Sequence, residues 1–256
     1  MWEFTLFQYA AVVGVLFVGG IVQGAVGFAA GVFGIPLMLF VGLTLPQAVA
    51  INLISAILQN GLGAYTLRHG TEYRDTIWPI IIRLITLPLG TWALFSAQLL
   101  DQDQIKQIVG FVLVGVLVLQ WVFKVKPQEH VSMRWTVVAF GSSGFLAGFC
   151  GMGGALMALW VMAHDWKAER SRGFFFFIFL TTLTPQALVL LFAFGNQATE
   201  AFLFGCLVLP ISLCGGWLGL KLGSRLKRKG LRQLVYLILV LVALRAIATP
   251  FFSTTS

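Results

Sequence analysis

Glycines at positions 20, 24 and 27 recur at 144, 148 and 151, a common offset of 124 in a chain of 256 residues. They belong to the stretches Gly20-Ile-Val-Gln-Gly-Ala-Val-Gly-Phe-Ala-Ala-Gly31 and Gly144-Phe-Leu-Ala-Gly-Phe-Cys-Gly-Met-Gly-Gly-Ala155, each embedded in apolar sequence. Glycine admits positive φ and close backbone approach, so each stretch can break a helix. The arm that follows then starts with unpaired N–H groups backed by the positive end of a helix dipole. Two such starts, one near Gly27 and one near Gly151 to Gly154, would hold a small anion between them without a buried lysine. Gly-xxx-Gly spacing at 20/24, 27/31, 144/148, 215/219 and 219/223 also serves helix packing, and packing is the favoured account of the 215–223 run.

Uncharged polar side chains in apolar segments are the other candidates. Asn52, Gln59 and Asn60 fall in the second segment, Thr181, Thr182, Thr184 and Gln186 in the sixth, and the offset of 124 pairs Asn60 with Thr184. Interhelical hydrogen bonding accounts for them about as well as substrate contact does. Cys150 sits in the second glycine turn; Cys206 and Cys214 read as packing residues. The candidate substrate contacts are thus Gly24, Gly27, Gly31, Asn52 and Asn60 in the first half. In the second half they are Gly148, Cys150, Gly151, Gly153, Gly154, Thr181 and Thr184.

Several chemistries are disfavoured. Every Asp and Glu lies in a loop or at a segment end, whereas proton and cation carriers keep a carboxylate mid-membrane. Arg83 and Arg245 fall inside apolar segments but within five or six residues of an end, so snorkelling is their default reading. His69, His130 and His164 are scattered without ligand spacing, and the cysteines form neither a metal site nor a disulfide framework. The Gly-x-x-x-x-Gly-Lys-[Ser/Thr] phosphate loop is absent, so neither a cofactor nor ATP-driven transport by this chain is expected.

The elements that would position these residues are membrane helices. Hydrophobic residues make up 59% and charged residues only 10%, against about 25% charged in a soluble domain. The net charge of +8 lies mostly in loops, which suits anionic headgroups and gives no module for nucleic acid. The N-terminus lacks the basic region of a signal peptide. Apolar segments run through 6–41, 47–67, 77–98, 107–123, 135–163, 173–194, 200–222 and 234–250. Six suit one helix each, while the first and fifth, at 36 and 29 residues, hold the glycine breaks.

Loop charge chooses between single crossings and hairpins for those two. Eight single crossings would divide Lys and Arg ten to five, whereas two hairpins returning to their own side divide them fourteen to one, Lys106 alone lying opposite. The positive-inside bias favours the hairpins. The expected fold is an all-α integral membrane protein of two inverted repeats. Each has three crossing helices and one glycine-broken, membrane-embedded hairpin. Residues 1–123 and 135–250 form the repeats, and 124–134 is a cytoplasmic linker within one integral unit. Such inverted repeats are a basis for alternating access at a midplane site.

The sequence resembles the TauE/SafE sulfite exporter family, also called the toluene-sulfonate uptake permease family. The resemblance rests on Gly24-Ala-Val-Gly-Phe-Ala-Ala-Gly31, on Pro36, on Leu45-Pro46-Gln-Ala-Val-Ala50 and on Gly148-Phe-Cys-Gly-Met-Gly-Gly154. Phe28-Ala29-Ala30 stands where a glycine cluster is common, and Ile51-Asn52 replaces a frequent Thr-Ser pair. The resemblance implies movement of sulfite, organosulfonates or related small anions across the bacterial inner membrane. The expected function is a secondary carrier, exporting a small sulfur-containing or carboxylate anion. Its partners are that anion and the bilayer, and a homodimer is left open. An anion channel of paired half-helices and, further off, a membrane enzyme or assembly factor remain as alternatives.

Overall fold

The structure is a computed structural model and describes residues 5–122, 128 and 131–225. Among these residues regular structure is helical throughout. The α-helices are α1 (Leu6–Val26), α2 (Ala30–Phe40), α3 (Leu45–Thr66), α4 (Ile77–Ser96), α5 (Gln102–Val122), α6 (Met133–Cys150), α7 (Gly154–Met162), α8 (Ala168–Phe194) and α9 (Asn196–Arg225). Helix starts follow local chemistry. Thr5 with Gln8 and Thr44 with Gln47 form reciprocal capping boxes, and Ser132 caps α6 through the Trp135 N–H. Both glycine stretches break the chain by the same device. α1 stops at Gly27, φ +93°, and α6 at Gly151, φ +67°; these left-handed values suit residues without a Cβ.

Six helical stretches are long and apolar enough to cross a bilayer: Leu6–Val26, Leu45–Thr66, Tyr73–Leu99, Gln102–Leu119, Ala168–Phe194 and Asn196–Gly223. Phe192, Leu207, Trp92 and Ile85 point outward and exposed, as lipid-facing side chains would. The chain is a multi-pass membrane protein. Five of these stretches coincide with expected crossings, and the sixth expected one, 234–250, lies outside the described residues. α1 differs from the expectation of a membrane-embedded hairpin in being long enough to cross by itself. Its break falls at residue 27, beside Phe175 and Arg172 near the start of α8, so the first arm takes 21 residues and the second only 11.

Both broken pairs nonetheless begin and finish at one end. Gln8 donates to the Val41 carbonyl at 3.1 Å, joining the start of α1 to the close of α2. Trp160 Nε1 donates to Thr136 at 3.0 Å, joining the close of α7 to the start of α6. The first of these ends also holds Thr44, Gln98 and Gln197, linked by 3.3 Å hydrogen bonds. At the second end Arg170 bridges Glu72 at 2.8 Å and Asp75 at 2.7 Å, and the Gln128 N–H donates to Ala163 at 2.9 Å. Loops 68–76 and 164–172, expected to share a face, therefore meet, with Gln128 of the expected linker at the same end; most of the fourth loop, 221–233, lies outside the described residues.

The halves interlock. α1 packs chiefly on α9, and α6 on α4. Gly24 leaves room for the Gly216 carbonyl, and Gly148 for that of Leu87. In return Gly219 accommodates the Ile21 carbonyl and Gly90 that of Phe145. The contacts on α1 and α6 match at the offset of 124, those on α9 and α4 at 129, so each broken pair is clamped by the other half.

Candidate functional site

The two breaks meet around one cavity. Gly31, in the first turns of α2, lies directly against the Gly151 carbonyl. Across from it, a Cβ added at Gly154 would come within 3.2 Å of the Phe28 Cβ. Between them is a space of about 30 Å³, enough for about two water-sized groups. Its walls come from both breaks and from the middles of α3 and α8, and its lining carries no Asp, Glu, Lys, Arg, His or Cys. Carboxamides supply the polarity instead.

Gln23 sits one turn before the first break and is buried. Its Oε1 accepts from the Ala30 N–H at 3.1 Å, capping the start of α2, while its Nε2 donates to Asn60 Oδ1 at 2.9 Å. Asn60 Nδ2 donates to the Ala56 carbonyl at 2.7 Å, which holds the amide against α3. On the facing wall Gln186 Nε2 donates to the Ala147 carbonyl at 2.6 Å, and its fully buried Oε1 has no partner among the described residues. Asn52 lies against Gly31 and Gly34, where a Cβ on either glycine would be in van der Waals contact with its carboxamide. A buried polar atom without a partner is costly, so this cavity suits a polar occupant that accepts and exchanges hydrogen bonds.

Of the candidates from sequence, Gly31, Asn52, Asn60, Gly151, Gly153 and Gly154 line this space together. The remaining six lie elsewhere. Gly24 and Gly148 sit in the helix crossings described above, and Gly27 forms the first turn against Phe175. Cys150 is buried, with Sγ 3.4 Å from the Leu146 carbonyl of its own helix. Thr181 and Thr184 bond back to the carbonyls of Phe177 and Leu180, at 2.9 and 2.8 Å, and Thr184 is exposed. Gln23 and Ala29 line the cavity without having been candidates. Gln23 had a readable signal, as the single amide inside the first glycine stretch. Ala29 had none, since an alanine gives no hint of its φ of +97°.

Snorkelling is overturned for Arg83. Its side chain is 0% exposed and turns inward, with Nε donating to Thr182 at 3.3 Å and Nη1 to Ser143. Met157 Sδ lies 3.0 Å from Nη1, and the guanidinium carbon stands 5.4 Å from the centre of the Phe179 ring. Sequence distance to a helix end gave the wrong reading, because the direction of a side chain around its helix depends on which neighbours pack there. Arg245 lies outside the described residues.

No curated protein and no solved structure matches the chain. The model of the sulfite exporter TauE/SafE family matches residues 12–246, which takes in both glycine breaks and every wall of the cavity, and the chain belongs to that family.

Proposed function

We propose that this protein is a secondary transporter that exports a small anion, with sulfite the first choice, by alternating access at the cavity between the two helix breaks. The observation that carries this reading is the contact of Gly31 with Gly151, which brings breaks of the same left-handed geometry to one uncharged polar site. Backbone N–H groups and carboxamides can hold an oxyanion there without a permanent ionic lock, and a carrier must also let go. No bond-breaking group lines the space, so translocation rather than turnover fits it. The volume suits a small inorganic anion, and a bulky organosulfonate would need the walls to part.

Residues 1–123 and 135–250 are taken as inverted repeats, each pivoting on its broken helix pair in the bacterial inner membrane. The second end, with Arg170 and the basic loops, is the cytoplasmic one. The clamps of α1 on α9 and α6 on α4 would let each broken pair move with the opposite half. Proteoliposomes loaded with sulfite test the function. Saturable efflux with trans-stimulation by external sulfite is expected; linear flux without trans-stimulation would identify a channel, and no flux would remove sulfite as substrate.

A further inference from the structure

Arg83 is a fully buried cation, and no carboxylate among the described residues forms an ion pair with it. Its Nη2 is buried without a hydrogen-bond partner among the described residues. Charges are retained in such surroundings only against a large desolvation cost, which a neutral side chain avoids. The other half of the protein contains that neutral alternative. Gly144 of α6 packs on the backbone of Arg83, as Gly20 of α1 packs on that of Ser212. At the second crossing Ser212 bonds to Gln59 and introduces no charge. Packing of this crossing therefore does not require an arginine.

The guanidinium is next to the central cavity. Phe179, whose ring faces it, also lines that space. Ser143, which accepts from Nη1, in turn donates at 2.6 Å to the carbonyl of Gly153, another lining residue. One aromatic ring and one hydroxyl–carbonyl pair thus connect the cation to a site that has no charge of its own.

We propose that Arg83 is the counter-charge of the transported anion: its unpaired guanidinium holds negative charge in the central cavity and makes the carrier selective for anions over neutral solutes of the same size. This inference rests on the central cavity being the substrate site. In a low-dielectric interior a charge one ring away still acts strongly, and Nη2 is the group left to pair with an anionic oxygen when Phe179 moves. The bound anion completes an ion pair that the empty protein lacks, so anion binding should stabilise the whole chain.

The test is titration calorimetry with sulfite on the purified full-length protein, alongside thermal unfolding without ligand. Arg83→Gln should raise the sulfite Kd by at least about 30-fold, the lower end of the loss when one partner of a buried charge pair is removed. The ligand-free Tm of Arg83→Gln should match or exceed that of the native protein, because an uncompensated charge has gone. Arg83→Lys, which keeps the charge, should retain most of the affinity. Native affinity in Arg83→Gln would overturn the proposal. So would equal loss in the Gln and Lys variants with a lowered ligand-free Tm, which marks a packing role. Absence of sulfite binding in the native protein would instead refute the sulfite reading itself, and the proposal with it.

Discussion

Gly31 of α2 touches the carbonyl of Gly151, so the helix breaks of the two halves are in direct contact and a Cβ at Gly31 would strike that carbonyl. Gly31→Ala should therefore force the breaks apart, at a cost of about 1–3 kcal/mol for overpacking. A lowered Tm and loss of sulfite efflux per folded molecule are expected. Gly14 and Gly115 have open space around them, and alanine there should leave both readouts near native. Equal effects at all three positions would show that the contact has no special role.

Ala29 has a φ of +97°, a left-handed conformation that costs a residue with a Cβ about 1–2 kcal/mol. Ala29→Gly removes that strain but gives freedom to the unfolded chain, for a net gain of about 0.5–1 kcal/mol. The expected outcome is a higher Tm in detergent. A lower one would mean that the Ala29 methyl contributes more by packing in the cavity wall than the strain costs.

Gln128 meets Ala163 at the end that carries Arg170, while Gln98 and Gln197 lie at the opposite end. In intact cells Gln98→Cys should react with a membrane-impermeant thiol reagent, and Gln128→Cys should react only after permeabilisation. The reverse pattern would invert the proposed orientation. Labelling of both from outside would remove the crossing of α5 that separates them.

His164, in the connection between α7 and α8, is held below its usual pKa of 6.5 mainly by burial, against smaller raising effects of the Trp160 carbonyl and Asp75. Because the folded state takes up its proton less readily than the unfolded state, this group stabilises the protein above about pH 6.5. That contribution is lost as pH falls through the lowered folded value. Tm measured from pH 7.5 down to 5 should fall less steeply in His164→Gln than in the native chain. Identical slopes would assign the acid sensitivity to other groups.

The membrane class and the two breaks were legible in the sequence because both depend on local composition. Apolar runs need lipid or neighbouring helices, and glycine at 27 and 151 supplies a φ that other residues resist; the family resemblance likewise agrees with the match over residues 12–246. Loops 68–76 and 164–172 could be assigned to one face because their charge cannot enter lipid. The side-chain geometry of the cavity was decided only in three dimensions. Gln23 reaches Asn60 across 37 positions, and Gln186 reaches Ala147 across 39, through helix rotations that no periodicity in an all-apolar segment reports. Thr184 and Asn60 share the repeat offset, yet one is exposed and the other buried. Arg83 makes the same point. Its place in the sequence allowed the charge to reach either water or the interior, and the packing of α4 against α6 and α8 turned it inward.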